Sequence, residues 1–186
     1  MKLLFFSLVA ILCITLCACA KKSENKSHEE VQNNKIAVTY FSATGTTKAV
    51  AEKIAAATSG TLFEITPVPA YTAEDLDWRD ENSRSTIDMK NPASRPEIKP
   101  VDVSEYDVVY IGFPIWWDEA PREVNTFIES QNLQGKKIIL FATSGGSTID
   151  NSAKMLKQTY PELNIQSGKL LNGVTEKDVE EWVKEN

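Results

Sequence analysis

The chain has 186 residues, which suits one domain with a full hydrophobic core. Its 26 acidic and 20 basic side chains give a net charge of −6, so the basic face that sequence-independent nucleic-acid binding requires is not expected. His28 is the only histidine, and Cys13, Cys17 and Cys19 are the only cysteines. This excludes a histidine-activated nucleophile and a histidine-rich metal site in the body of the chain. Carboxylates or a bound cofactor must carry any chemistry.

Residues 1–18 are predicted to be a signal peptide. Lys2 precedes an uncharged run from Leu3 to Ala20, and this order is typical of a secretory signal. The sequence Leu-Cys-Ala-Cys that ends at Cys19 resembles the bacterial lipobox, which implies cleavage after residue 18 and lipidation of Cys19. A non-lipidated signal and an uncleaved membrane helix are the alternatives. All three interpretations place the remaining chain outside the cytoplasm, at the cell envelope.

Residues 19–34 are predicted to be the lipidated cysteine and a flexible tether. The stretch 20–34 has no aromatic and almost no aliphatic side chain, so it cannot contribute to a core. His28 lies in this stretch and is interpreted as a solvated linker residue. The folded domain is therefore predicted to span residues 35–186.

Within this domain, predicted strands and helices alternate. Apolar or β-branched runs predict strands at 35–41, 61–65, 107–113 and 137–143, and a last, weaker strand within 163–171. Helical spacing predicts helices at 46–57, 121–130, 147–160 and 175–184. The alternation favours a doubly wound, five-stranded parallel sheet with helices on both faces, whose ligands bind beyond the carboxyl ends of the strands.

Residues 66–106 are the least regular part of the predicted domain. Residues 71–89 are a weaker candidate for a helix, because Asp, Asn and Ser are common there. Three prolines between residues 92 and 100 predict an extended segment. Trp78 is interpreted as a packing residue rather than a site residue.

The loop after the first strand has the composition of a phosphate site. Four hydroxyl residues surround Gly45 and lead directly into a helix: Ser42, Thr44, Thr46 and Thr47. Hydroxyls and free N–H groups at a helix N-terminus bind anions, and glycine allows the backbone to approach the ligand. No lysine stands in the position that a P-loop requires. The loop therefore favours a phosphate monoester, with a hydroxyl-rich helix cap as the alternative.

Two further loops follow predicted strands. Trp116 and Trp117 follow the third strand and offer a flat surface for an aromatic ligand, unless they form a core or interface pair. The sequence Thr-Ser-Gly-Gly-Ser from residue 143 to 147 follows the fourth strand. Its glycines allow close backbone approach, and its hydroxyls suit the polar edge of a ring, unless it is a turn with a helix cap.

The run VTYFSATGTTKAVAEKI, residues 38–54, resembles the FMN-phosphate signature of flavodoxins, with Thr39 as its one departure. The two later loops are similar to the PIWW and TSGGS loops of a flavodoxin subfamily, so the resemblance spans about residues 36–171. It implies the strand order 2-1-3-4-5 and FMN as cofactor. It also implies a phosphate site of Ser42, Thr44, Gly45, Thr46 and Thr47. The implied ring site consists of Pro114, Ile115, Trp116, Trp117, Thr143, Ser144, Gly145 and Gly146.

Asp118 departs from the subfamily, which commonly has glycine at this position. Glycine would allow the backbone to flip near flavin N5 when a one-electron-reduced flavin forms, and Asp118 makes that flip harder. Asp118 and Glu119 also bring negative charge towards the ring. Both effects are expected to disfavour an anionic reduced flavin and to lower its potential; a solvated acidic loop is the alternative.

The function expected from this resemblance is electron transfer by an FMN-binding protein that is tethered at the cell envelope. The flavin carries the chemistry, so no catalytic residue and no metal are expected. The partner is expected to be a redox protein with a basic docking face, and the lipid anchor is the expected contact with the membrane. A flavin reductase that uses NAD(P)H or a quinone is the first alternative. A non-redox binding module is the second.

Overall fold

Strands and helices alternate along the chain, as the sequence pattern predicts. The structure, a computed structural model, describes residues 34–166 and 168–186; the predicted signal peptide, Cys19 and the tether up to residue 33 lie outside the described residues. The strands are β1 (Ile36–Tyr40), β2 (Thr61–Glu64), β3 (Val108–Pro114), β4 (Lys137–Thr143), β5 (Asn164–Ile165) and β6 (Lys169–Leu170). The helices are α1 (Thr46–Thr58), α2 (Arg84–Lys90), α3 (Arg122–Ser130), α4 (Asp150–Thr159) and α5 (Glu176–Lys184).

The sheet is parallel and has the order β2-β1-β3-β4-β5, with β6 also paired to β4. This confirms the predicted doubly wound fold. The prediction of one weaker strand within residues 163–171 is wrong in number only, because two short strands, β5 and β6, together occupy the fifth position. Gly168 lies between them and passes so close to Ile149 that a Cβ would come within 2.5 Å of the Ile149 Cδ1 atom. A glycine inside a strand weakens pairing, which agrees with the interruption.

Side chains from the central strands alternate between two apolar layers. In β3, Val109 and Ile111 face the layer that contains Phe127 of α3 and Leu156 of α4. Their neighbours in sequence face the opposite layer, which contains residues of α1 and α5, including Ile54, Val179 and Trp182. The period of two is the one that a pleated strand imposes. Helices therefore cover both faces, as predicted.

Gly112 and Phe141 are paired neighbours in β3 and β4. Phe141 is fully buried, and its ring fills the space that a side chain at position 112 would need. A Cβ built on Gly112 would lie 2.0 Å from the Phe141 Cζ atom. The absence of a side chain at position 112 is thus a packing requirement of the central sheet.

Residues 71–89, the weaker candidate for a helix, do hold one, but it is confined to the end of the range. Only α2 is helical there, and it begins after Ser83, whose hydroxyl accepts a hydrogen bond from the Thr86 N–H at 3.3 Å. Upstream, side chains of Thr72, Asp75, Asp77 and Asp80 bond to nearby backbone N–H groups and form turns. Such local bonds compete with helix formation.

Helix α4 begins at Asp150, three residues later than predicted. The Ser144 hydroxyl accepts hydrogen bonds from the N–H groups of Gly146 and Ser147, at 3.1 and 2.8 Å, so this stretch closes into a turn before the helix. Over residues 34–166 and 168–186, none of the helices has the length and apolar character needed to cross a membrane.

Candidate functional site

A cleft of about 800 Å³ opens at the carboxyl ends of β1, β3 and β4. Eleven of the thirteen residues predicted for the cofactor site line it; Gly45 and Gly146 belong to the same loops but do not line it. Its lining consists of Ser42, Ala43, Thr44, Thr46, Thr47, Leu76, Trp78, Ser85, Pro114, Ile115, Trp116, Trp117, Thr143, Ser144, Gly145 and Asn172. The three loops that the sequence singled out therefore meet at one place.

The loop after β1 presents the start of α1 to the cleft. Gly45 precedes the helix with a left-handed φ of 89°, a conformation that glycine adopts without strain. Its N–H donates to the Ser42 hydroxyl at 3.1 Å. The helix has no side-chain cap and no acidic residue in its first turn, while Thr44 and Thr46 are exposed. The first N–H groups of a helix lack partners inside it, so this end of the cleft suits an anion.

Thr47 and Thr143 join two of the loops beneath the cleft. Both are buried, and their hydroxyl oxygens lie 2.8 Å apart in a hydrogen bond. Thr47 belongs to the first turn of α1, and Thr143 is the last residue of β4. The bond fixes the start of α1 against the end of the neighbouring strand, so a ligand meets a loop that is already positioned.

The loop after β4 is held by a residue that the sequence did not indicate. The Asn172 side chain accepts a hydrogen bond from the Ser144 N–H at 2.9 Å and donates to the Ser144 carbonyl. Gly145 and Gly146 have open space where a Cβ would lie. The surrounding protein therefore leaves room for a side chain at these two positions.

The two tryptophans of the third loop have different environments. Trp116 is half-buried, and its ring packs edge-on against Phe41 and Tyr71, with centroid distances of 5.4 and 5.5 Å. Trp117 is 46% exposed. Backbone hydrogen bonds of 3.0 and 2.9 Å join Trp116 and Glu119, so residues 116–119 form a tight turn. Both tryptophans line the cleft, but Trp116 is packed against other aromatic rings whereas Trp117 is exposed to solvent.

Tyr71, whose ring packs against Trp116, is itself held by a hydrogen bond to Glu123. The Tyr71 hydroxyl donates to Glu123 Oε1 at 2.5 Å, and the Arg84 guanidinium lies 4.2 Å above the Tyr71 ring. Burial raises the pKa of the Glu123 carboxyl above its ordinary value, although the bond from Tyr71 opposes that shift. Burial also raises the pKa of the Tyr71 phenol, and Glu123 raises it further. The Tyr71 phenol therefore stays protonated and keeps its hydrogen bond to Glu123.

Negative charge beside the cleft is smaller than the sequence alone suggests. Arg122 Nη1 lies 2.8 Å from Glu119 Oε2, so this carboxylate is paired with a cation that the sequence reasoning did not connect to it. Asp118 is exposed, and neither Asp118 nor Glu119 lines the cleft. Among the described residues that line the cleft, none has a side chain that is ionisable at neutral pH. The cleft offers hydrogen bonds and aromatic surface rather than an acid or a base.

The interpretation of Trp78 as a packing residue is wrong. Its side chain is 70% exposed and lines the cleft together with Leu76 and Ser85. Leu76 and Trp78 come from the irregular segment between β2 and α2, and Ser85 belongs to the first turn of α2. Leu76 and Trp78 are apolar residues in a strongly polar stretch that has neither helical nor strand periodicity. An apolar residue without such a pattern has no predicted core face to join, and this could have indicated that Trp78 is exposed.

Metal ligation finds no support in the part of the chain that the structure covers. Residues 34–166 and 168–186 contain no cluster of three His, Cys, Asp or Glu side chains placed to hold a metal ion.

Comparison with known proteins decides the family. The Flavodoxin family model matches residues 35–186. The chain belongs to the flavodoxin family. A crystal structure of a protein provisionally named a flavoprotein, from Bacteroides uniformis, is 51% identical; the match covers 81% of this chain and 98% of that one, with a TM-score of 0.79. A similar protein from Bacteroides eggerthii is 54% identical over 81% of this chain and 96% of that one, also with a TM-score of 0.79.

A more distant flavodoxin-like structure shares the fold. The flavoprotein from Lactobacillus acidophilus, solved in complex with FMN, is 20% identical over 81% of this chain and 99% of that one, with a TM-score of 0.60. No curated protein matches the chain. The family assignment therefore rests on the family model and on the two Bacteroides structures.

Proposed function

We propose that this flavodoxin-family chain binds FMN in the described cleft and transfers electrons through it. The observation that carries the proposal is the composition of a single cleft. The start of α1, which has no side-chain cap and carries the exposed Thr44 and Thr46 hydroxyls beside it, stands in one wall, and Trp116 and Trp117 stand in another. Among the described residues that line the cleft, none has an ionisable side chain. FMN combines a phosphate monoester with a flat aromatic ring, so its two ends match these two kinds of wall.

The phosphate would be held by Ser42, Thr44, Gly45, Thr46 and Thr47. Thr44 and Thr46 are exposed at the start of α1, and the helix dipole favours negative charge there. The loop contains no lysine or arginine, so hydrogen bonds rather than an ion pair would carry the recognition. Because Thr47 is already bonded to Thr143, its hydroxyl would contribute mainly by fixing the loop.

The ring would lie against the loops after β3 and β4. Pro114, Ile115 and the two tryptophans supply apolar surface, and the loop that starts at Thr143 supplies backbone polar groups at Ser144, Gly145 and Gly146. When bound, FMN supplies the redox chemistry. The chain's own part is to bind the phosphate, to orient the ring and to exclude water from its faces.

The partner that fits the opening of the cleft is a redox protein with a basic face. Trp78 and Trp117 are exposed at the cleft; the exposed Asp118 directly follows Trp117, and the exposed Asp80 and Glu74 lie two and four residues from Trp78 in sequence. The whole chain carries a net charge of −6. Complementary charge raises the association rate, and this steering weakens with salt.

For location, we propose attachment to the cell envelope through a lipid on Cys19, with residues 20–34 as the tether. The support is the lipobox-like sequence and the polar composition that follows it. In cells fed an alkyne-labelled fatty acid, the chain is expected to become labelled and to fractionate with membranes, and Cys19→Ser is expected to abolish the label. Equal labelling of both chains would contradict a lipid at this cysteine.

The experiment that tests the function is anaerobic reduction of the full chain after it is loaded with FMN in detergent. We expect the protein to retain yellow flavin after removal of the excess, with the flavin fluorescence quenched by the tryptophans at the cleft. A spectrum recorded after each addition of reductant shows whether the electrons enter singly or in pairs.

Three outcomes separate the candidate functions. Entry of single electrons and exchange with a basic redox protein that slows as salt rises would support the electron carrier. Saturable turnover of a small acceptor with NAD(P)H or a hydroquinone would instead support a flavin reductase. A chain that retains no FMN would contradict both and leave a non-redox binding module.

A further inference from the structure

The turn at residues 116–119 holds two residues in an unfavourable backbone conformation. Trp117 has a φ of 46° and Asp118 has a φ of 66°, and neither is glycine. Positive φ at both central residues is the geometry of a tight hairpin turn that usually contains glycine or asparagine. A conformation of this kind persists only where the surrounding structure enforces it.

Two side chains of α4 supply that enforcement. Asn151 Nδ2 and Ser152 Oγ each donate a hydrogen bond to the Asp118 carbonyl oxygen, both at 3.1 Å. Ser152 is fully buried and Asn151 is half-buried, so these bonds are at least partly shielded from water. Neither residue lines the cleft, whereas Trp117, the neighbour of Asp118, does. The carbonyl is thus directed to groups outside the cleft.

A second tie holds the other side of the turn. The Glu119 carboxylate is bonded to Arg122, and its backbone is bonded to Trp116. The Asp118 carbonyl, which lies just before this fixed residue, is bonded in turn to Asn151 and Ser152. The backbone on the C-terminal side of Trp117 is therefore tied at two successive residues, 118 and 119.

We propose that Asn151 and Ser152 are positioning residues that act through Trp117 and determine the affinity of the cleft for the flavin ring. This inference rests on the proposed function. If Trp117 is fixed before the flavin binds, binding does not incur the entropic cost of ordering this side chain. Without the two bonds, Trp117 would sample several orientations, and each binding event would have to select one.

The test compares the full chain with the variant Asn151→Ala/Ser152→Ala by titration with riboflavin and with FMN, followed by flavin fluorescence. We expect the affinity for both ligands to fall by about the same factor, on the order of tenfold, because the ring site has lost preorganisation. Inorganic phosphate, measured by competition against FMN, is expected to bind both proteins equally. Gln158→Ala, an exposed change on the same helix, is the matched control and should alter nothing.

The single variant Asn151→Ala, at a half-buried position, keeps the test decisive if the double variant does not fold. A second comparison uses Trp117→Ala as background. If Asn151 and Ser152 act through Trp117, their removal there lowers riboflavin affinity no further. An undiminished loss in that background would identify a general structural effect and overturn the proposal.

Failure of the proposal and failure of the proposed function give different results. Unaltered flavin affinity in both the single and the double variant, with an unaltered chain that binds FMN, would overturn this proposal alone. An unaltered chain that binds neither riboflavin nor FMN would overturn the proposed function and this inference together.

Discussion

Replacement of Thr46 with aspartate is expected to lower the affinity for FMN by at least about a hundredfold while riboflavin affinity stays within about twofold. Thr46 is the exposed first residue of α1 and lines the cleft where the phosphate is proposed to bind. A carboxylate about 4 Å from a phosphate charge costs on the order of 4 kcal/mol near a protein surface, and screening reduces this. A hundredfold loss needs about 2.8 kcal/mol, so the repulsion is sufficient.

The same substitution is expected to stabilise the folded chain slightly, although it weakens FMN binding. A negative charge in the first turn of a helix stabilises it by about 0.3–1 kcal/mol, and α1 has none there. Loss of FMN binding by Thr46→Asp can therefore not be attributed to unfolding. Urea denaturation without ligand measures the stability, and titrations with FMN and riboflavin measure the affinities.

Thr46→Asn is the control, because asparagine has the shape of aspartate without its charge. It should retain most of the FMN affinity. If Thr46→Asp bound FMN as tightly as the unaltered chain, the phosphate would not lie at this helix. If FMN and riboflavin affinity fell together, the substitution would have disturbed the whole cleft and the phosphate assignment would lose this support.

The substitution Gly112→Ala is expected to destabilise the fold by about 1–3 kcal/mol, the usual cost of overpacking a core. The added methyl group would lie 2.0 Å from the Phe141 ring, between the two central strands β3 and β4. Phe141 is completely buried, so its ring can move only by displacing other core residues. Urea denaturation of the unaltered and substituted chains measures the difference.

Gly145→Ala is the matched control, because a Cβ at Gly145 meets open space. Phe141→Leu provides the complementary test: it shrinks the side chain that the new methyl group would strike. Gly112→Ala/Phe141→Leu should therefore be more stable than the sum of the two single effects predicts, with a coupling above about 0.5 kcal/mol. Additive effects would show that the ring is not what excludes a side chain at position 112.

The fold could be predicted from the sequence because its central strands are buried on both faces. Continuous apolar runs such as that of β4 have few alternatives, and alternation with helices fixes a parallel sheet. Within residues 163–171 the sequence predicted one strand rather than two, because edge pairing depends on packing between Gly168 and Ile149, which lie far apart in sequence. Within residues 71–89 the start of the helix could not be predicted, because local side-chain bonds before α2 compete with helix formation.

For the site, the three loops could be predicted because each follows directly after a strand. The residues that hold those loops in place could not be predicted, because their hydrogen-bond partners lie far away in the sequence. Asn172 bonds to Ser144, and Asn151 and Ser152 bond to Asp118 from another element. No local pattern marks a polar side chain whose partner is a distant backbone group. Trp78 was misjudged because its type is usually buried.

The interrupted fifth position of the sheet has a consequence for assembly. One edge of the sheet is β2, with four residues, and the other is formed by β5 and β6, with two residues each. An exposed edge recruits further strands only when it presents a long run of free backbone groups, and short edges protect a protein against aggregation. Both edges are therefore poor templates for the addition of a further strand. Copies of this protein that are crowded together are expected to resist joining edge to edge.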